Sequence, residues 1–253
     1  MKTVIFGKGK VGIATDLTLK TNADFHDPYK DCIVTDFSKY DQAFICVSSL
    51  VHGPFDHDAI QECLELLMEA SFQGVVAIRC TVHPGFLAQW ETMYPSLKMI
   101  HFPEFMKQRD DNYLDTPWVL VLGGNRKITV PFGNWLIDNG YGHDEHLLYC
   151  TLVESALIKL HQNAGLALKV TYANMMYNAC QEYKADFETV RRGATADVRV
   201  GSAHTQVPGE DGFGFGGHCL PKDLMCLNVV ASDYGFWDKI LEVNEYMKAK
   251  NEQ

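Results

Sequence analysis

The sequence predicts an α/β protein: a doubly wound parallel sheet over residues 1–146, followed by an α-helical domain over 147–253 built on one long helix. Three observations carry this. Short apolar, β-branched runs alternate with segments of helical spacing through the first half, the pattern of strands joined by crossover helices. A Gly-x-Gly-x-x-Gly motif sits between the first such run and the first helix. From Leu147 to Tyr183 there is no proline and a single glycine, Gly165, so an unbroken helix of about 35 residues and ~50 Å can form.

The elements follow in order. Thr3-Val4-Ile5-Phe6 is the first strand. Gly7-Lys8-Gly9-Lys10-Val11-Gly12 follows it, and Ile13 to Leu19 reads as a helix. In a strand–turn–helix context these glycines form the Rossmann-type dinucleotide fingerprint: a tight turn, close approach of a pyrophosphate, and close helix packing. A second strand ends near Phe25-His26-Asp27. Asp27, fifteen positions after Gly12, is suited to accept the ribose hydroxyls of NAD and to repel a 2′-phosphate; Asp24 competes for the role, because strand register is open by a few residues. Tyr40 to Val47 is a buried strand, Asp58 to Ala70 a helix, and Gly74 to Arg79 a further strand. Lys98 to His101 is extended, Trp118 to Gly124 is the last strong strand, and Ile128 to Asn139 a helix.

In the long helix, Leu152, Ala156, Lys159, Asn163, Ala167 and Val170 fall on neighbouring turns. A helix of this length suits the spine of a dimer, with Met175, Met176 and Tyr177 in a core or interface. Lys159 and Asn163 share a face, where a cation and an amide can hold a developing oxyanion. His161 and His218 read as structural or rim residues. One more helical stretch follows Asp223, and Lys248 to Gln253 reads as a frayed tail.

Composition narrows the function. A formal net charge of −10 argues against nucleic acid or a membrane surface as partner. Eight cysteines without Cys-x-x-Cys spacing indicate reduced thiols, hence a cytoplasmic setting, and no metal site. No apolar run is long enough to span a membrane, and a strand-like segment opens the chain where a signal peptide would lie.

The most informative stretch is Gly212-Phe213-Gly214-Phe215-Gly216-Gly217-His218-Cys219-Leu220-Pro221-Lys222-Asp223. Four glycines in six residues mark backbone with φ > 0 or close to a ligand. Their amides, ahead of a helix start, suggest an anion-binding nest that lowers the pKa of the following thiol. The stretch therefore reads as a nucleophilic cysteine beside a pocket for negative charge.

Residues 214–223 resemble the signature of the UDP-glucose/GDP-mannose dehydrogenase family, Gly-Phe-Gly-Gly-x-Cys-x-Pro-Lys-Asp, at every defined position. Other stretches are similar to the family's. Cys80-Thr81-Val82-His83-Pro84-Gly85 resembles Ser-Thr-Val-Pro-Pro-Gly, with Cys80 and His83 as replacements. Phe102-Pro103-Glu104-Phe105-Met106-Lys107-Gln108 resembles Asn-Pro-Glu-Phe-Leu-x-Glu, with Gln108 for the second glutamate. Lys159-x-x-x-Asn163 matches the catalytic pair, which β-hydroxyacid dehydrogenases share. Asp197-Val198-Arg199-Val200-Gly201 resembles Asp-x-Arg-Ile-Gly, and Leu241 to Glu245 the end of the central domain. Val47-Ser48-Ser49-Leu50 departs from the usual Val-Pro-Thr-Pro.

The resemblance implies an NAD-dependent nucleotide-sugar 6-dehydrogenase. Its catalytic set would be Cys219, Lys159, Asn163, Asp223, Glu104 and Thr81. Glu104 would be the general base, its pKa raised by burial between Phe102 and Phe105. Gly7, Gly9, Lys10, Val11, Gly12, Asp27, Ser49, Thr81 and Lys222 would bind NAD. Glu104, Phe105, Lys159, Asn163, Arg199, Phe215, Gly216, Gly217 and Cys219 would meet the substrate. The family also implies a homodimer through the long helix, and a second Rossmann-like domain that grips the nucleotide. The chain ends before such a domain, which a separate chain could supply. Two other readings stay open: a single oxidation of a smaller hydroxy compound, using Lys159 without Cys219, and a cofactor-binding protein without turnover.

Overall fold

A computed structural model describes residues 1–49, 52–105, 119–209, 212–217, 219–231 and 235–252. Leu50, Met106, Lys107, Gln108, Trp118, His218 and Gln253, named above, lie outside the described residues.

The chain divides into two compact units, Met1–Lys159 and Leu160–Gln253. The first holds a seven-stranded sheet in the order β2-β1-β3-β4-β5-β6-β7. Its strands are β1 (Thr3–Phe6), β2 (Asp24–His26), β3 (Gln42–Ile45), β4 (Val75–Ile78), β5 (Lys98–His101), β6 (Leu120–Gly124) and β7 (Leu147–Cys150). Helices α1 (Lys10–Leu19), α2 (Asp58–Glu69), α3 (Pro84–Met93) and α4 (Arg126–Asp138) intervene. All neighbours pair in parallel except β5 and β6, which are antiparallel, so the sheet is mostly rather than wholly parallel.

The doubly wound character follows from residue alternation. Successive strand side chains point to opposite faces. Val4, Phe6, Ala43, Ile45, Val76 and Ile78 enter one apolar cluster. Ile5, Phe44 and Ala77, from the same strands, enter the other, with Cys46 just beyond β3. Strands buried on both faces read as continuous apolar runs, which is why they were visible in the sequence. Helix α2 shows the matching helical period: its buried residues are Ile60, Cys63, Leu64 and Leu67.

Several boundaries differ from the expected ones. Leu147–Cys150 was expected to open the long helix but extends β6 as a parallel strand. The long helix α5 is therefore Leu152–Glu182, 31 residues, and the first unit runs past residue 146. Four residues are too few to show a strand or a helix period of their own, and the paired strand β6 decides between them. Helix α3 had no expected counterpart. Pro84 occupies its first turn, and the His83 ring caps it by accepting from Gly85 N at 3.1 Å.

The second unit holds the rest of α5 with α6 (Phe187–Thr195), α7 (Cys219–Val230) and α8 (Phe236–Lys248). Helix α6, capped by Asp186 accepting from Thr189 N, was also not foreseen. The tail is not frayed throughout: Ala249–Glu252 forms a 3₁₀ turn. Among the described residues no helix is long and apolar enough to cross a membrane.

Candidate active site

The strand order reverses at β1, between β2 and β3, and the glycine loop lies at the carboxyl end of β1. Its three glycines do different things. A Cβ on Gly7, whose φ is +88°, would come within 2.7 Å of the Cys46 carbonyl oxygen. A Cβ on Gly12 would overlap the Gly7 carbonyl oxygen, so this glycine sets how closely α1 packs. A Cβ on Gly9 would meet only open space. Gly9 therefore leaves room directly at the N-terminus of α1, the geometry a pyrophosphate needs. Lys10 is exposed as the first residue of that helix, followed by partly buried Val11.

The two aspartates are separated by register. Asp24 pairs beside Val4 at the start of β2, and its carboxylate accepts from Tyr40 Oη at 2.7 Å. Asp27 follows the end of β2, and its Oδ2 accepts from Lys8 N at 2.8 Å. Asp27 thus borders the glycine loop, while Asp24 sits at the other end of the strand. The loop residues and Asp27 together fit the adenosine half of a dinucleotide.

Further along the same carboxyl edge, Ser49 is buried and donates to the Thr81 carbonyl at 2.9 Å. Thr81 is buried as well. Arg79, the residue after β4, is 3% exposed. Its guanidinium lies 4.3 Å from the Phe102 ring centroid and pairs with the Glu104 carboxylate. Glu104 thus has a buried arginine as counter-charge, not only the aromatic surroundings expected for it. Arg79 was missed as a site residue; the available signal was a charged residue ending an otherwise apolar strand. Lys159, on the first turns of α5, donates to the Glu104 carbonyl and lies 4.9 Å from the Phe105 ring centroid.

His101 ties these strands to the start of α5. Its Nε2 is 3.0 Å from the Cys80 carbonyl and its Nδ1 2.7 Å from Ser155 Oγ. A carbonyl only accepts, so Nε2 carries the proton. Burial, opposed by the Cys80 hydrogen bond and aided by the nearby Lys159 charge, pushes the imidazole down to about 4. The ring is neutral at neutral pH and acts as a fixed brace.

In the second unit, Cys219 is the first residue of α7 and the one exposed cysteine of eight. Burial pushes Cys46 up to about 11, Cys63 and Cys226 to about 12 and, with the Glu154 charge, Cys150 to about 11, so those thiols stay protonated and inert. One turn beyond Cys219, Asp223 is fully buried. Asn163 donates to its Oδ2 at 2.5 Å and Lys222 pairs with its Oδ1 at 2.6 Å. Lys222, expected at the cofactor, is thus engaged by Asp223.

Part of the glycine stretch is engaged within the protein. The amides of Phe213, Gly214 and Phe215 each donate to an asparagine side chain. Phe215 is buried, Gly216 partly buried, and Gly217 exposed with a φ of +70° and nothing near its Cβ position. Arg199 is exposed, its guanidinium 2.5 Å from Asp197, next to it on the same turn. A cavity of about 380 Å³ lies elsewhere, at the amino ends of β3, β4 and β5, lined by Gln42, Val75, Lys98 and Trp135; none of the motif residues lies there. Among the described residues, no three His, Cys, Asp or Glu side chains gather to hold a metal.

Residues 153–250 match the UDP-glucose/GDP-mannose dehydrogenase family, central domain. A UDP-glucose 6-dehydrogenase of Rickettsia bellii is 35% identical over 150 residues, covering 55% of this chain and 32% of the relative. Another, from Rickettsia typhi, is 29% identical over 224 residues, covering 82% and 49%. The chain thus spans a third to a half of the length of these relatives. A UDP-glucose dehydrogenase structure from Pyrobaculum islandicum superposes with a TM-score of 0.79 at 18% identity, over 97% of this chain and 68% of that one. That likeness establishes the fold. The motif at 214–223 lies inside the segment that matches the central domain of the UDP-glucose/GDP-mannose dehydrogenase family.

Proposed function

We propose that the chain oxidises the primary alcohol of a nucleotide sugar, of the UDP-glucose kind, to the carboxylate in two NAD-dependent steps through a covalent intermediate on Cys219. The observation that carries this is the exposed Cys219 thiol at the start of α7, one turn before a buried Asp223 held by Asn163 and Lys222. Gly7, Gly9, Lys10, Val11, Gly12, Asp27, Ser49, Thr81 and Lys222 would hold NAD, which would supply the hydride acceptor for each oxidation.

Lys159 and Asn163 stabilise the alkoxide as the substrate hydroxyl loses its proton to a water beside Asp223 and its carbon loses a hydride. The Cys219 thiolate adds to the resulting aldehyde carbon, and the carbonyl pair becomes the oxyanion of a thiohemiacetal. Loss of a second hydride from that carbon leaves a thioester. Glu104 then takes a proton from a water oriented by Thr81 and Asp223, hydroxide adds to the acyl carbon, and the C–S bond breaks with the thiolate leaving. Phe105, Arg199, Phe215, Gly216 and Gly217 complete the contacts to the sugar nucleotide. One alcohol and one water yield one carboxylate, two hydride equivalents and three protons.

The test is NADH formed per mole of substrate, with UDP-glucose first in a panel of nucleotide sugars. The expected result is two equivalents. One equivalent, unaffected by Cys219→Ala, would move the chain to single-step alcohol oxidation. NAD binding with no NADH from any substrate would favour a binding protein or a need for a further domain from another chain.

The same reading includes a homodimer through α5. Leu168, Tyr172 and Met175 are exposed on that helix and fall within one face. Sedimentation is expected to give twice the chain mass, and Tyr172→Glu with Met175→Glu is expected to give the monomer. A monomeric wild-type chain would refute this part.

A further inference from the structure

The loop ahead of Cys219 is held by three asparagines from three separate elements. Asn174 on α5 is 1% exposed and accepts from Gly214 N at 3.1 Å, while its own Nδ2 donates to Val170 O at 2.8 Å. Asn244 on α8 is 2% exposed. It accepts from Phe215 N at 2.6 Å and donates to Phe215 O at 3.0 Å. Asn251, in the turn after α8, repeats this on Phe213, at 2.8 and 3.1 Å. A carboxamide carries one acceptor and one donor side by side, as a neighbouring strand would. An aspartate would set an oxygen against the Phe215 carbonyl, and an apolar residue would leave two buried backbone groups unpaired.

The glycines make this docking possible. A Cβ on Gly212 would overlap Asn251 Oδ1, and one on Gly214 would lie 2.8 Å from Asn244 Oδ1. Both glycines have positive φ, +85° and +77°. Two of the four glycines therefore admit asparagine side chains, whereas the Gly217 Cβ position is open.

The geometry points to Asn174, Asn244 and Asn251 as positioning residues for Cys219, acting through the backbone of Phe213, Gly214 and Phe215. This rests on the reading of Cys219 as the nucleophile. The thiol is bracketed along the chain: the Phe215 clamp lies four residues before it, and Asp223, tied to Asn163, four residues after it. Helix α5 supplies a residue to each side. A thiol that must add to a carbonyl and later leave from the same carbon gains from being held where it reacts, not recruited from a mobile loop.

The test uses the full chain and two variants, Asn244→Asp and Asn251→Ala. Cys219 alkylation by iodoacetamide is followed against pH, with the modified peptide read by mass spectrometry, beside kcat and KM for NADH formation. Both variants are expected to shift the pH profile of Cys219 alkylation. Both are also expected to lower kcat about tenfold or more, with KM for NAD unchanged. A profile superimposable on wild type, accompanied only by a lower unfolding temperature, would overturn the proposal in favour of a purely structural clamp. Asn251 is exposed, so its variant decides the matter if Asn244→Asp does not fold. Alkylation needs no turnover: absence of NADH from the wild type would refute the proposed reaction while the alkylation profiles still judge the clamp.

Discussion

Replacing Cys219 by serine is expected to abolish carboxylate formation, by about a thousandfold or more, equivalent to ~4 kcal/mol of lost transition-state stabilisation. Cys219 is the one exposed thiol among eight and opens α7, where a helix N-terminus favours an anion. The first hydride loss needs no sulfur. NADH should therefore fall from two equivalents to one at most, and an aldehyde should become trappable with a hydrazine. Serine matches the shape of cysteine but is a far poorer nucleophile near neutral pH, since its hydroxyl is almost wholly protonated. Cys46, Cys63 and Cys226 offer no substitute, because burial keeps them protonated. Product analysis beside an absorbance trace of NADH decides the issue. Full acid production by the serine variant would rule out the thioester route.

Substituting Arg79 by methionine is expected to destabilise the first unit by about 3 kcal/mol, the lower end for breaking a buried ion pair, since Glu104 keeps some contact with water. The side chains of Arg79 and Glu104 are 1% and 13% exposed. Methionine fills most of the space over Phe102 but removes the counter-charge from a nearly buried carboxylate. Among the described residues Arg79 Nε and Nη1 have no hydrogen-bond acceptor, so their loss is not itself costly. Glu104→Gln in the Arg79→Met background should then recover much of the loss, because it removes the charge left behind. Urea unfolding of the four proteins forms a double-mutant cycle that reads the coupling. Strictly additive changes would show that the pair contributes nothing. The same variants bear on function: if Glu104 is the hydrolytic base, Arg79→Met should slow acid release more than the first hydride transfer.

The fold was legible where local pattern has one solution. Runs such as Val4-Ile5-Phe6 and Ala43-Phe44-Ile45 are apolar on both faces, and only a sheet covered on both sides buries them. The glycine loop announced itself through spacing, and the glycines at 7 and 12 are needed for contacts made within a few residues or with the next strand. Leu147–Cys150 misled because four residues are too few to show a strand or a helix period, and the neighbour β6 made the choice. Asp24 and Asp27 could not be told apart until register placed one beside Val4 and the other beyond Phe6. The glycine stretch before Cys219 is special backbone, with φ above zero at Gly212, Gly214 and Gly217. The amides of Phe213, Gly214 and Phe215 are taken by asparagines 29 to 40 residues away in the chain.

By itself, then, the sequence determined the strand–helix alternation, the fingerprint loop, the long helix and the set of reactive residue types, all of which depend on spacing within a turn or a strand. Tertiary structure decided which partner each polar group took. Lys159 reaches Glu104 across 55 residues, Asn163 reaches Asp223 across 60, and Arg79 meets Glu104 from the neighbouring strand end. A buried hydrogen-bonding or charged group must find a partner, but nothing in its own neighbourhood along the chain says which. Only the packing that brings distant segments together supplies that answer.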